Sequence, residues 1–425
     1  MMIHCALLTL SLFAAPAEAA SDADSRAEVQ RLVRQLDASQ LSQRDAAEAS
    51  LLKLGPAILD LLPTKTERMS AEVAQRLARV RQKLQRQAAD AAIRPSTITL
   101  HDDAMPLSKV LEAFGRQSGN PITDSRQRMG QPAADPTLKA NFDKKPFWPA
   151  LDQVLDQAGL TLYPFAEQAG LSVVTRGQAT SRTGRACYAG PFRIEPVDVI
   201  ARRDLRSPAA QSLMVGVEVA WEPRLRMISL AQRMADVTAT DDRGRPLAVA
   251  EPQGQIESPM SGDAPAVKLE LPLKLPPRSA ERIATLKGKL IATIPGRTET
   301  FRFAKLAEAK NVEKRVAGVT VTLEDVRKNN DAWEVRVRVR FDEAGDALAS
   351  HRNWIFTNPA TLEGPDGKPI NYDTFETTAQ EKNELGIAYL FSVDKPIDQF
   401  TFVYKTPGTI VLSEFPYELK DIRLP

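Results

Sequence analysis

Residues 98–122 read ITLHDDAMPLSKVLEAFGRQSGNPI, and the organisation of the chain turns on them. Upstream, the apolar residues keep helical spacing; within this stretch the period changes. Ile98 and Leu100 alternate with polar neighbours as a half-buried strand does. Leu107, Val110, Leu111 and Phe114 return to the i, i+3, i+4, i+7 spacing of an amphipathic helix, which Gly119 stops. In residues 138–162, LKANFDKKPFWPALDQVLDQAGLTL, the residues Leu138, Ala140 and Phe142 alternate. Phe147, Leu151, Val154, Leu155 and Ala158 then form a second helix stopped at Gly159. With short strands at 160–162 and 171–173, the expected order over 93–176 is β-α-β-β-α-β-β, a compact α+β unit rather than a doubly wound sheet.

Before this unit, residues 20–92 read as helix. Val29, Leu32, Val33 and Leu36 share one face, as do Val73, Leu77, Val80 and Leu84. Ser42-Gln43-Arg44-Asp45 resembles a capping box, Gly55 ends the helix that follows it, and Pro56 begins another. Ahead of the helices, residues Ile3–Ala15 are largely apolar but too short to span a bilayer. They run through Pro16 into the small-x-small triplet Ala17-Glu18-Ala19, so residues 1–19 are expected to be a signal peptide. Its removal takes Cys5 and leaves Cys187 as the one remaining thiol of the two in the sequence, so no intramolecular disulfide is expected. The expected compartment is the periplasm or cell envelope, or secretion. No later segment approaches the 18 consecutive apolar residues of a transmembrane helix.

Two resemblances follow from these stretches. The strand, the Pro-Leu-led helix ending in Ser-Gly, the next strand pair and the "ALDQVLDQAGL" helix are together similar to the secretin and TonB N-terminal (STN) short domain, over residues 95–176. That resemblance implies a periplasmic protein-interaction module without chemistry of its own. Residues 41–62, with LLKLGPAILDLL at their end, resemble a single HEAT-type helical repeat. One such repeat cannot bury its own face and needs neighbours or a partner.

Downstream, residues 177–186 (GQATSRTGRA) carry no large apolar side chain and read as a linker, with few contacts expected across it. Beyond it the chain turns to β-structure. Val215, Val217, Val219 and Trp221 alternate with small or polar residues. Val267 to Leu275 do the same, as do Trp333, Val335, Val337, Val339 and Phe341. These are half-buried antiparallel strands with one wet face. "VTATDDRGRPLAV" (237–249) resembles "ATLEGPDGKPINY" (360–372), and each is followed by a Pro-Gly, at Pro295-Gly296 and at Pro407-Gly408. The reading is an internal repeat of two antiparallel β-sandwich domains at 187–308 and 312–425. The fold class is thus multi-domain: a helical segment (20–92), an STN-like α+β domain (93–176), then two sandwiches.

The 425 residues carry a formal charge of +2, 43% hydrophobic and 26% charged residues. This is a globular composition with no field to draw nucleic acid. No C-x-x-C, H-E-x-x-H or EF-hand spacing suggests a metal, and no Gly-rich phosphate loop suggests a nucleotide cofactor. After cleavage only His101 and His351 remain as imidazole bases, in different units, with no G-x-S-x-G. Asp241-Asp242 with Gly244 reads as a hairpin turn before a calcium loop. No catalytic, cofactor or metal residue is assigned. The candidate surface for an anionic partner is Arg76, Arg79, Lys83 and Arg86 on the third helix, within a run of basic residues from Lys65 to Arg94. Arg336, Arg338 and Arg340, on one strand face, are the other candidates.

The expected function is a non-catalytic interaction or scaffolding protein of the bacterial envelope, with an envelope protein or cell-wall glycan as partner. The alternatives are a carbohydrate- or peptidoglycan-binding protein that uses a sandwich face, and a hydrolase whose two carboxylates are set by space rather than sequence. N-terminal sequencing of the native protein should return Ala20 as the first residue; a start at Met1 removes the case for export.

Overall fold

The computed structural model of the chain describes residues 17–63, 69–163, 170–177, 186–207, 211–259, 264–349 and 352–425. Outside them lie residues 1–16 of the expected signal peptide, Lys65 and Arg68 of the basic run, most of the expected linker, and His351. The chain divides into two compact units, Met1–Ala88 and Ala89–Pro425. An N-terminal helical part precedes a large, mainly antiparallel β-structure.

The helical part comprises α1 (Ala17–Gln35), α2 (Leu41–Leu54), a 3₁₀ turn at Pro56–Asp60, and α3 (Ala71–Ala92). Its core takes Leu32 and Leu36 from α1, Leu51 from α2, Ile58 from the turn, and Val80 and Leu84 from α3. The cap expected at Ser42 is not there. α2 already starts at Leu41, and the extended Gln40 before it makes no side-chain cap bond. The capping serine belongs to the next helix: Ser70 Oγ accepts the Val73 N–H at 3.3 Å.

The α+β part runs β1 (Thr97–Pro106), α4 (Leu107–Ser118), β2 (Ile122–Asp124), β3 (Thr137–Pro146), α5 (Phe147–Ala158), β4 (Leu160–Leu162) and β5 (Leu171–Thr175). β1 pairs antiparallel with β3, and β5 lies between β2 and β4. The two strand–helix pairs are built alike. Pro106 and Pro146, both extended, turn strand into helix, and Gly119 and Gly159 end the helices in the left-handed conformation. The Gln117 amide accepts the Thr99 N–H at 2.9 Å and donates to the Thr99 carbonyl at 3.0 Å. Gln157 does the same to Lys139, at 3.0 and 3.1 Å. Each amide satisfies a strand-edge residue as a neighbouring strand would.

The first stretch of the β-region holds β6 (Cys187–Ala189), β7 (Phe192–Arg203), β8 (Gln211–Trp221), β9 (Ser229–Arg233), β10 (Thr238–Asp241), β11 (Pro246–Leu247), β12 (Gln255–Pro259), β13 (Ala266–Leu273), β14 (Arg282–Pro295) and β15 (Thr298–Phe303). The second holds β16 (Val312–Val316), β17 (Val319–Asn329), β18 (Ala332–Phe341), β19 (Ala360–Glu363), β20 (Pro369–Asn371), β21 (Thr374–Gln380), β22 (Glu384–Phe391), β23 (Thr401–Pro407) and β24 (Ile410–Arg423). Sheet order β13-β8-β7-β6 in the first matches β22-β18-β17-β16 in the second, where β21 adds an outer strand. The Gly-x-Pro turns join β10 to β11 and β19 to β20, and these hairpins lie beside β14 and β23 respectively.

The last strand of each stretch pairs with a strand of the other. β24 pairs with β14 of the first stretch, and β15 pairs with β23 of the second. Pairing runs without a register change from Arg282↔Arg423 to Pro295↔Ile410, and on from Thr298↔Pro407 to Phe303↔Phe402. Across the gap the Gly296 N–H donates to Thr409 and the Gly408 N–H to Arg297, both at 2.8 Å. One continuous ribbon therefore passes from one sheet to another at its two Pro-Gly steps. Gly296 leaves room there: a Cβ would come within 2.6 Å of the Thr409 methyl, which would have to shift. The ribbon corrects the expected boundaries: β15, placed in 187–308, seats Phe301 and Phe303 in the core of the second stretch. β24, placed in 312–425, gives Phe415, Tyr417, Leu419 and Ile422 to the core of the first.

The division expected at 177–186 also moves. The α+β part and the β-region form one compact unit from Ala89 onward. Ala220 and Ala266 of the β-region are buried in the α+β core, and Trp148 Nε1 donates to the Pro191 carbonyl at 2.8 Å.

The exchange predicts a long-range effect. Leu419→Ala, at a side chain with no exposure, should destabilise residues 89–425 by about 2–5 kcal/mol. Hydrogen-exchange protection should fall in β7 and β8 as well as in the second stretch. Protection lost in the second stretch alone would contradict the exchange.

Candidate binding surfaces

Between α2 and α3 lies a groove of about 390 Å³, floored by Ala49 and Leu52 and rimmed by Asp45, Glu48, Arg76, Arg79 and Lys83. Helical spacing sets Glu72, Arg76, Arg79 and Lys83 along one face of α3. Arg76 bonds Asp45 at 2.8 Å, Glu48 at 3.1 Å and Glu72 at 3.1 Å, and only 8% of its side chain is exposed. Arg79 meets Glu48 at 3.0 Å and Lys83 approaches it to 3.8 Å, with 43% and 58% of their side chains exposed. Burial works against the charge on Glu48, but the Arg79 hydrogen bond and the charges of Arg79, Lys83 and Arg76 outweigh it. The Glu48 carboxyl is held below its ordinary value. Arg76 is thus a strut of the helix pair, whereas Arg79 and Lys83 keep cationic surface in solvent. Arg86 is exposed further along α3 and does not line the groove.

The strand arginines fare differently. Arg336 is bound to Glu334 at 2.6 Å, and Glu334 is fully buried and also receives Arg327 and Asn329. Arg338 lies between Glu324 at 2.6 Å and Glu384 at 3.0 Å. Two of the three cations expected to face an anionic partner are therefore held by carboxylates on their own sheet, and Arg340 remains exposed.

Two polar clusters absent from the sequence reading bolt the α+β part to the β-region. In the first, Arg193 is gripped by Asp152 at 3.1 Å and Glu195 at 2.6 Å, and the Tyr188 hydroxyl donates to Asp152 at 2.5 Å. Glu195 stands directly opposite Glu218 in the β7–β8 ladder. Burial raises the Glu218 pKa; the nearby Arg193 charge lowers it and that of Glu195 adds to the rise. In the second cluster the fully buried Glu222 accepts the Ser96 N–H at 2.9 Å, the Ser96 hydroxyl at 2.6 Å, the Asn120 amide at 3.0 Å and Arg224 Nε at 2.7 Å. Arg224 also donates to the Ala92 and Arg94 carbonyls. The only sequence signal is Glu218 and Glu222 flanking an otherwise apolar strand end.

A third surface is aromatic. Phe356 and Phe375 stack with ring centres 5.1 Å apart and planes 20° apart. Tyr372 meets Phe375 edge-on at 5.8 Å, and the group continues inward to Tyr389. Phe375 is on β21, whose residues are almost all exposed.

The remaining candidates are placed as follows. His101 is exposed on β1 opposite Asn141. Cys187 is a free thiol on β6, partly buried against the core. Asp241 folds a hairpin turn by accepting the N–H groups of Arg243 and Arg245, both at 2.9 Å. Among the described residues no three His, Cys, Asp or Glu side chains are grouped to hold a metal ion. No protein-family model matches the chain, and no curated protein does either.

Glu218 gives a pH test. Its folded-state pKa is raised, so its contribution favours folding below its ordinary value of 4.5 and is lost as pH rises through the folded value. Glu218→Gln should therefore melt higher than the parent at pH 7 and converge with it near pH 4. A variant that melts lower at pH 7 would mean that the charge is stabilising.

Proposed function

We propose that the chain is a non-catalytic scaffold of the bacterial cell envelope, and that the α2–α3 groove takes a carboxylate-rich segment of a partner protein. The observation that carries this reading is the groove itself: Arg79 and Lys83 converge on one carboxylate yet keep 43% and 58% of their side chains in solvent. A second carboxylate entering there meets two cations without displacing Glu48, and Leu52 offers it an apolar floor. The STN-like reading of 95–176 fits a scaffold, and the doubled strand–helix pair with fixed edges supports it as a rigid module. The two β-stretches are read as copies of one sandwich that exchanged their last strands, on the strength of their shared sheet order. Export rests on residues 1–19 alone. Among the described residues no helix is long and apolar enough to cross a membrane.

The aromatic ledge favours a second reading, in which a glycan stacks its sugar faces on Phe356 and Phe375. Soluble peptidoglycan fragments titrated against the protein and its Phe375→Ala variant separate it from the first.

The test of the main reading uses a fluorescent decaglutamate peptide and the full chain. Binding should weaken with added salt, and Arg79→Glu combined with Lys83→Glu should reduce it on the order of tenfold. Arg340→Glu, at an exposed strand position, should leave it unchanged. Equal binding by the groove variant, or none by the parent, overturns the proposal.

A further inference from the structure

The β7–β8 hairpin ends in a combination that neither the groove nor the cores use. Leu205 is 95% exposed and Ile200 is 56% exposed. Ile200 lies opposite Met214 in one ladder and Met214 opposite Pro272 in the next, so an apolar row crosses the outward face of β7, β8 and β13. β6 covers β7 only as far as Ile194, which leaves the far half of β7 as an edge among the described strands.

At the hairpin end of this row basic residues outnumber acidic ones. Arg202, Arg203 and Arg206 are exposed. Arg203, on the opposite face of β7 from Ile200 and Arg202, donates to the Gln211 amide oxygen at 3.1 Å and the Pro276 carbonyl at 3.4 Å, both neutral partners. The acid among them, Asp204, accepts the N–H groups of Arg206 at 2.8 Å and Ser207 at 2.9 Å through one oxygen, and these bonds hold its carboxyl below the ordinary value, so one negative charge stands against three arginines. Those bonds fold the turn that carries Leu205. The other acids beside the row, Asp198 and Glu270, share Lys268 at 2.7 and 3.5 Å.

An exposed leucine on a fixed turn, flanked by three arginines, matches a surface with negative charge outside and hydrocarbon beneath. We propose that this hairpin end docks on an anionic phospholipid bilayer, with Leu205 and Ile200 entering the headgroup region and the arginines meeting phosphates. This is independent of the groove and attaches the chain to the bilayer surface without a spanning segment.

The experiment is co-sedimentation of the full chain with vesicles of phosphatidylcholine alone and of phosphatidylcholine mixed with phosphatidylglycerol. Binding is expected only to the mixed vesicles and should fall with salt. Leu205→Ser should weaken it on the order of tenfold, and Arg202→Ser and Arg206→Ser about fivefold each. All three variants should melt with the parent, because these side chains are exposed, and Arg79→Glu should bind vesicles as the parent does. Equal sedimentation with both vesicles, none with either, or full binding by Leu205→Ser overturns the proposal. Vesicle binding lost in Arg79→Glu but kept in the hairpin variants assigns the affinity to the groove and overturns it equally.

Discussion

The exchange of β15 and β24 is the constraint on which the β-region depends. A strand that returned to its own stretch would let each stretch close its own core. Here each hydrophobic core is closed by side chains from the other stretch: Phe301 and Phe303 in one direction, Phe415 and Leu419 in the other. Burying a large apolar side chain contributes about 1.5–3 kcal/mol, so losing a swapped strand removes several such contributions at once. That is comparable with the whole stability of an ordinary domain. Neither stretch can therefore open alone without stripping its neighbour. The two Pro-Gly steps make this possible, since the reciprocal bonds of Gly296 and Gly408 keep the ladder paired while it changes sheets.

The α+β part is fixed by a different physics. Arg193 and Glu222 are buried charges, and desolvation alone makes each of them unfavourable. What keeps them is that every partner is supplied from both sides of the junction. Asp152 comes from α5 and Glu195 from β7; Ser96 and Asn120 come from the α+β part and Arg224 from the loop after β8. Such clusters contribute little net stability over an apolar contact but penalise any misplacement strongly, because a shift leaves a charge without its counterpart. They fix one geometry, which a smooth hydrophobic seam would not.

Much of this architecture was legible in the sequence, and the exceptions have physical causes. The period change at Ile98 and the alternation in β8, β13 and β18 gave element types, because one-sided burial leaves a period that can be read locally. The doubled strand–helix pair could also have been read: Pro106, Gln117 and Gly119 recur as Pro146, Gln157 and Gly159. The strand exchange could not. A hairpin and an exchanged pair need the same alternation and the same Pro-Gly step, and they differ only in which distant strand accepts the bonds. The capping serine was misassigned because Ser42 and Ser70 both precede apolar helical runs, and only the backbone shows where the helix begins. The buried clusters left no period at all, since Glu218 and Glu222 look like solvent-facing positions until the α+β part covers them.

The basic residues show why a charge pattern alone does not define a surface. Arg76, Arg79 and Lys83 on α3, and Arg336, Arg338 and Arg340 on β18, are equally regular rows in the sequence. What separates them is the neighbouring element. β17 and β22 lie on both sides of β18 and bring Glu324 and Glu384 within reach, while Glu334 serves Arg336 from the same strand, so that row is largely consumed internally. α3 meets α2 along one side only, and Glu48 is shared among three cations. A carboxylate can satisfy one guanidinium fully or several partially. The excess cation in the groove is thus a consequence of helix packing, in which three cations of α3 line up against Asp45 and Glu48 of α2. The hairpin arginines extend the same logic: one acid, Asp204, stands among three of them and directs one oxygen to backbone N–H groups, so cation is in excess there as well.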